Sequence, residues 1–362
     1  MSLVTLTAFG GHCIRGASTT PASQAAVTVS GLTGTYTLNN ASYSTSGYNT
    51  YRFTNPTVPT SYGTTQTGAT NSTNASGTMT VSCTTAFTVY LLIVGGGGGG
   101  GSGNDGGGGG GAGEFVYRAI PLAAGTYSIS LQVAGGGRSS GYVGSGNTNS
   151  ATGGSYGYGF NGNTSFVTIN GTTYNALGGC GGGPSRRTTF SITSGYVHGG
   201  GAGCMYNDYL CAGGVGLAGG YSGGANGQTS LSAAGGAGGG AGAAGVGADG
   251  ISSNSGAAQV GGAGGAGKSP ATQNLSGFTG ISSYFSGGGG GSMTTGTGGA
   301  TATPAPGGSG VGGTGSRSAG TAVSTTPVAD TGSGGGGGCQ NIATGGCGAN
   351  GVVFVALSLA FP

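Results

Sequence analysis

Phe87-Thr-Val-Tyr-Leu-Leu-Ile-Val94 runs without a break into seven consecutive glycines, Gly95–Gly101. The residues before the junction are mostly apolar and rich in β-branched and aromatic side chains, which predicts a buried β-strand. A second apolar segment, Gly351-Val-Val-Phe-Val-Ala-Leu-Ser-Leu-Ala-Phe361, stands at the other end of the glycine-rich sequence. Because apolar strands bracket this region, we expect its two ends to pair and to close it into one unit.

The composition excludes several protein classes. Glycine supplies 97 of the 362 residues, whereas its usual share is about 7 %. Each glycine inside an α-helix costs about 0.8–1 kcal/mol relative to alanine, so we expect essentially no α-helix. The ten prolines follow no sustained Gly-X-Y register, which argues against collagen. Eight scattered basic residues argue against nucleic-acid binding, and no apolar run approaches the ~20 residues that span a bilayer.

The glycine tracts need a source of order other than side-chain burial. Ordering a glycine costs about 0.5–1 kcal/mol more than ordering an alanine, so main-chain hydrogen bonds must offset the cost. An extended left-handed helix with three residues per turn directs its N–H and C=O groups outward. Neighbouring helices of this polyglycine-II type could bond laterally if glycine stands at every contact. The alternative is intrinsic disorder, against which the apolar share of 35 % and a net charge of only +3 argue.

Further strands are predicted where apolar and polar side chains alternate. The sequence therefore predicts an all-β N-terminal part and a polyglycine-II helix bundle that β-strands bracket. We divide the chain into a β-rich attachment segment (1–50), a strand-rich start of the glycine-rich domain (51–176) and a tract-and-loop region (177–362). Asn170-Gly171 predicts a type I′ hairpin turn. The other predicted strands are Ala26–Ser30, Gly34–Leu38, Asn49–Thr54, Gly77–Ser82, Glu114–Ile120, Gly125–Val133, Asn163–Ile169 and Thr172–Tyr174.

The order of strands and glycine tracts resembles a known architecture. Tyr51-Arg-Phe-Thr54, Ser76-Gly-Thr-Met-Thr-Val81 and the junction at Gly95 resemble the glycine-rich domain of phage and prophage tail fibres. The tract-loop-tract portion is also similar to the distal receptor-binding adhesins of T-even-type phages. That resemblance implies a polyglycine-II sandwich whose loops contact the host surface. The seven cysteines and the different β-rich front depart from these adhesins, so a protein of a large eukaryotic virus stays open.

The resemblance implies a virion-surface or extracellular adhesin that binds a host glycan or an outer-membrane protein. Other virion proteins would contact the N-terminal β-rich segment, and the chain could form a homo-oligomer. One alternative is a purely structural capsid or fibre component. A second is an ice-binding protein, against which the long aromatic inserts argue. Aromatic and acidic side chains in the loops are the candidate receptor contacts, because aromatic faces stack on sugars: Tyr206, Asp208, Tyr209, Tyr221, Phe278, Tyr284 and Phe285.

The cysteines and acidic residues give no enzyme or metal motif. Cys204 with Cys211, and Cys339 with Cys347, could each close a short disulfide loop. The alternative is that these cysteines are small apolar fillers against glycine backbone. None of the seven cysteines forms a C-x-x-C pair and only two histidines exist, so we expect no metal and no cofactor. The five acidic residues lie far apart in the sequence, and we expect the protein not to be an enzyme.

Overall fold

The computed structural model describes residues 27–39, 45–57, 72–103, 106–139, 157–184, 198–201, 213–216, 220–225, 237, 239–251, 260–293, 305–317, 324–339 and 344–358. Within these residues the chain is all-β, with no α-helix and one short 3-10 turn, Gly308–Gly310. The strands are β1 (Thr28–Thr33), β2 (Tyr36–Leu38), β3 (Tyr48–Thr54), β4 (Ala75–Cys83), β5 (Phe87–Val94), β6 (Phe115–Leu122), β7 (Gly125–Val133), β8 (Ser165–Ile169), β9 (Thr172–Ala176) and β10 (Val352–Ser358).

The strands form two antiparallel sheets of five strands each. The first sheet has the order β1-β4-β7-β8-β9, and the second has the order β2-β3-β10-β5-β6. Strand β10 lies between β3 and β5, and Val352 is opposite Val94 in the antiparallel register. The prediction that the two ends of the glycine-rich region pair is therefore confirmed. The predicted chain segments 1–50, 51–176 and 177–362 all contribute strands to the second sheet, so this sheet crosses both boundaries.

The core between the sheets follows the alternation that the sequence predicts. On β4, Gly77, Met79, Val81 and Cys83 are buried, and the residues between them are exposed or half-buried. The inward side chains of β3, β5, β7, β8 and β10, with one residue each from β6 and β9, complete one apolar cluster. Burial of this cluster stabilises the fold by roughly 25 cal/mol for each Å² of apolar surface that is removed from water. At the β8–β9 turn, Asn170 and Gly171 have φ angles of 48° and 78°, as a type I′ turn requires.

The glycine tracts leave the sheets and bond to each other through the main chain. In the first tract, the N–H groups of Gly95, Gly98 and Gly101 donate to the carbonyl oxygens of residues 114, 111 and 108. The next set along the chain, residues 96, 99 and 102, donates to residues 163, 160 and 157. The third set, residues 97 and 100, donates to residues 349 and 346. Successive N–H groups thus reach three different neighbouring segments, and every third one returns to the same segment.

Other tracts repeat this three-residue period. Residues 107, 110 and 113 donate to residues 338, 335 and 332, and residues 108, 111 and 114 donate to residues 183, 180 and 177. In a β-strand the same edge is reached by every second residue, so this bonding is not that of a sheet. We call the whole set of laterally bonded segments the glycine array. Its interior is buried, because Gly95–Gly103 and the tract Gly106–Gly113 have no exposed residue.

The glycine array has a proximal end at the sheets and a distal end away from them. Gly95 follows β5 at the proximal end, and the first tract reaches the distal end at Ser102 and Gly103. Hydrogen bonds place other segments at the same distal level. The Gly338 N–H donates to the Gly101 carbonyl oxygen, and the Ser292 N–H donates to the Gly107 carbonyl oxygen. The described residues that border undescribed inserts at the distal end include Gly157, Gly201, Ala225, Ala237, Ile251, Val260, Met293, Arg317 and Cys339.

One connection at the proximal end folds back over the second sheet. Residues 268–285 join two tracts, and Phe278, Ile281 and Phe285 pack against the outer face of β5 and β10. The second sheet is therefore covered on both faces. This explains why β10 is apolar at every position from Val352 to Leu357 instead of alternating.

Candidate functional site

The first candidate site is the distal end of the glycine array. Gly201 lies there, because its N–H donates to Gly109 and its carbonyl oxygen accepts from Gly183. Residues 202–212 follow Gly201, and they include the predicted receptor contacts Tyr206, Asp208 and Tyr209. These three residues lie outside the described part of the chain, as do Cys204 and Cys211. Their roles stay predictions.

Tyr221 is exposed at the side of the array and is held by a histidine. Its ring stacks on the His198 ring at a centroid distance of 6.1 Å, and its backbone N–H donates to His198 Nδ1 at 3.2 Å. Burial, assisted by the charge of Lys268, lowers the pKa of His198 to about 4. The imidazole is therefore neutral near pH 7, and its Nδ1 acts as an acceptor. Tyr221 keeps 38 % of its surface exposed, so it is available for contact.

The prediction that Phe278 and Phe285 contact a receptor is wrong. Both side chains are buried, with 0 % and 2 % of their surfaces exposed, in the cluster over β5 and β10. The sequence of this insert contains no strand alternation, so its aromatic residues gave no indication that they face a sheet. Tyr284 lies beside them and is 40 % exposed. Tyr284 belongs to the proximal connection, so the structure does not place it with the distal inserts.

Of the two alternatives for Cys339 and Cys347, a disulfide or small apolar fillers, the structure has the second. Both cysteines are free and buried. The Cys339 Sγ donates to the Met293 carbonyl oxygen at 3.0 Å, whereas the Cys347 Sγ lies 3.8 Å from the Ser139 hydroxyl. The eight-residue spacing suggested a loop, but the two thiols have different neighbours in the array. Burial raises the pKa of Cys339 to about 11, so this thiol stays protonated and acts as a small apolar filler.

A second candidate site is a cleft that sequence reasoning missed. It has a volume of about 320 Å³ and lies where β3 and the last glycine tract meet the segment before Asp330. Arg52 on β3 donates from its Nη2 to the Asp330 Oδ2 at 3.0 Å, across a separation of 278 residues. No sequence motif connects positions so far apart. The lining residues are Thr54, Asn55, Pro56, Thr326, Pro327, Ala329, Asp330, Cys347, Gly348, Ala349 and Asn350.

The electrostatics of the cleft depend on one ion pair. The Arg52 and Asp330 side chains are 18 % and 20 % exposed, so water screens their attraction only in part. Burial raises the pKa of the Asp330 carboxyl, although the adjacent Arg52 guanidinium acts in the opposite direction.

In the described part of the chain, no group of three or more His, Cys, Asp or Glu side chains could hold a metal ion. The described part of the chain includes no helix with the length and apolar character that a membrane span requires.

Comparison with known proteins adds no family assignment. No protein-family model matches the chain, and no curated protein matches it significantly.

Proposed function

We propose that the glycine tracts are polyglycine-II helices. A helix with three residues per turn presents every third residue on the same side. The three-residue period of the main-chain hydrogen bonds, from residues 95–102 to three different neighbours, supports this proposal. The absence of room for side chains supports it too, since a Cβ atom at Gly98, Gly99 or Gly100 would overlap a neighbouring carbonyl oxygen.

On this scaffold we propose a virion-surface adhesin that binds the host cell through the distal inserts. The observation that carries the proposal is the placement of the insert borders at the end of the array opposite the sheets. A laterally bonded array is a rigid base, and binding residues are often carried by loops that a rigid scaffold positions. Host glycans and outer-membrane proteins are the proposed partners. Other virion proteins would contact the β-rich N-terminal segment.

The alternative is a structural capsid or fibre component with no receptor role. The low charge supports it, because a poorly charged surface is poorly soluble unless other molecules cover it. Exposed apolar side chains on the outer tracts, such as Val246 and Ile251 with 62 % and 58 % of their surfaces exposed, support it as well. Copies of this chain or other virion proteins would then cover these tracts.

Insert replacement separates the two functions. In one variant, a Gly-Ser segment of equal length replaces residues 205–210, which carry Tyr206, Asp208 and Tyr209. In the matched control, the same change is made at residues 318–323, which follow Arg317 at the distal end and carry no aromatic residue. Binding of the full chain is measured on a glycan array and on outer-membrane vesicles. The adhesin proposal predicts at least a tenfold loss for the first variant and unchanged binding for the control. Absence of binding by the unmodified chain, or equal binding by both variants, would contradict the adhesin proposal.

A further inference from the structure

The cleft beside Asp330 is built by buried side chains that do not themselves need a ligand. The Asn350 amide donates to the carbonyl oxygens of Asn55 and Thr57, and its Oδ1 accepts from the Gly136 N–H. The Asn55 amide donates to the Thr73 carbonyl oxygen, and its Oδ1 accepts from the Thr57 N–H. Both amides are therefore used within the protein. These hydrogen bonds fix the shape of the cleft wall, and a bound molecule would contact other groups of the lining.

Asp330 is the acidic residue that lines the cleft. Its Oδ2 accepts from Arg52, and its Oδ1 has no hydrogen-bond partner among the described residues. The backbone of Asp330 has a φ of 54°, a left-handed conformation that is uncommon outside glycine. The hydroxyl-bearing residues Thr54 and Thr326 line the same cleft.

Charge and size restrict the class of ligand. Asp330 is the one charged residue among the lining residues, and the adjacent Arg52 balances its charge, so neither a phosphate nor a free cation has a strong electrostatic reason to bind. Apolar surface on the wall comes from Pro56, Pro327, Ala329 and Ala349. A volume of about 320 Å³ is near the lower limit of the ~300–1,000 Å³ that small-molecule sites occupy. A small neutral ligand with several hydroxyls and a C–H face fits these conditions.

We propose that this cleft binds one neutral pyranose residue. Sugar hydroxyls donate to the Asp330 carboxylate, and the C–H face of the ring packs against Pro56 and Pro327. The cleft lies beside the sheets and includes none of the distal inserts, so this site is separate from the receptor-binding inserts proposed above. Loss of one site leaves the other intact, and the two proposals fail independently.

The test uses the full chain and three probes: the methyl glycosides of glucose, galactose and mannose. Saturation-transfer NMR and titration measure binding of each. At least one probe binds the unmodified chain, and Asp330→Asn weakens that binding at least tenfold. Asparagine tolerates the left-handed backbone, so this variant keeps the local fold. Asp249→Asn is the matched control, because its carboxylate caps the Ala225 N–H on another side of the array. It leaves binding unchanged.

A second pair of variants tests the cleft by shape. Ala329→Trp fills the cleft and abolishes binding, whereas Val328→Trp, at a neighbouring position that is 52 % exposed and does not line the cleft, leaves binding unchanged. Circular dichroism verifies that each variant is folded. The proposal is overturned if none of the three glycosides binds the unmodified chain, or if a bound glycoside is insensitive to Asp330→Asn and Ala329→Trp.

Discussion

Replacing Gly98 by alanine is expected to prevent the chain from reaching its native structure. The Gly98 N–H donates to the Gly111 carbonyl oxygen at 2.8 Å, and its own carbonyl oxygen accepts from the Gly335 N–H at 2.9 Å. An added Cβ would overlap the carbonyl group of Cys180 on a third segment. All the neighbours are backbone, so no side chain can move to relieve the overlap. We expect a loss of more than about 4 kcal/mol, against a typical total stability of about 5–15 kcal/mol.

Gly245→Ala is the matched control for this prediction. Gly245 closes the tight turn that follows the tract ending at Gly242, and the nearest atom to its added Cβ is the Ala266 nitrogen at 3.7 Å. Its φ lies outside the left-handed region, so alanine is tolerated there and should change the free energy of unfolding by less than about 1 kcal/mol. Soluble yield and urea denaturation followed by circular dichroism measure both variants. Equal stability of Gly98→Ala and Gly245→Ala would contradict the close packing of the array.

Phe278→Ala is expected to give the second large effect. The Phe278 ring is fully buried and packs edge-to-face against Tyr117 and Phe354, at centroid distances of 6.2 Å and 6.1 Å. Truncation leaves a cavity between the proximal connection and β10. Buried Phe→Ala substitutions cost about 3–5 kcal/mol, and we expect a loss in this range. The free energy of unfolding from urea denaturation measures it.

Tyr284→Ala, in the same connection, is the comparison for Phe278→Ala. Tyr284 is 40 % exposed, and exposed positions outside the core usually change stability by about 0.5 kcal/mol or less. If residues 268–285 were a free loop instead of a cover for the second sheet, both substitutions would have small effects. A small effect of Phe278→Ala would therefore contradict this packing.

Local patterns in the sequence were sufficient to predict the strands. Alternation on β4 and β7 and the apolar runs of β5 and β10 gave elements close to their observed bounds, because each pattern extends over neighbouring residues. The pairing of β5 with β10 followed from their positions at the two ends of the glycine-rich region. The glycine tracts have no side-chain pattern, so the sequence alone gave neither their neighbours nor their register.

The candidate sites were less predictable, because they depend on contacts between distant segments. Phe278 and Tyr284 are both aromatic residues in a polar insert, and only the position of the insert over β10 separates a buried ring from an exposed one. Arg52 and Asp330 are brought together by the path of the chain through the array. The opposite case is Cys339 and Cys347, which are close in sequence but whose thiols have different neighbours.

Hydrogen–deuterium exchange of the tract amides tests the central claim most directly. The N–H groups of residues 95–102 donate to three neighbouring segments, and the tract is buried. Their exchange should therefore require global or large-scale opening, as it does for core strands. We expect Gly95–Gly101 to be protected as strongly as β5, which immediately precedes this tract. Exchange of these glycines at the rate of an unstructured peptide, with β5 still protected, would show that the strands fold without an ordered glycine array.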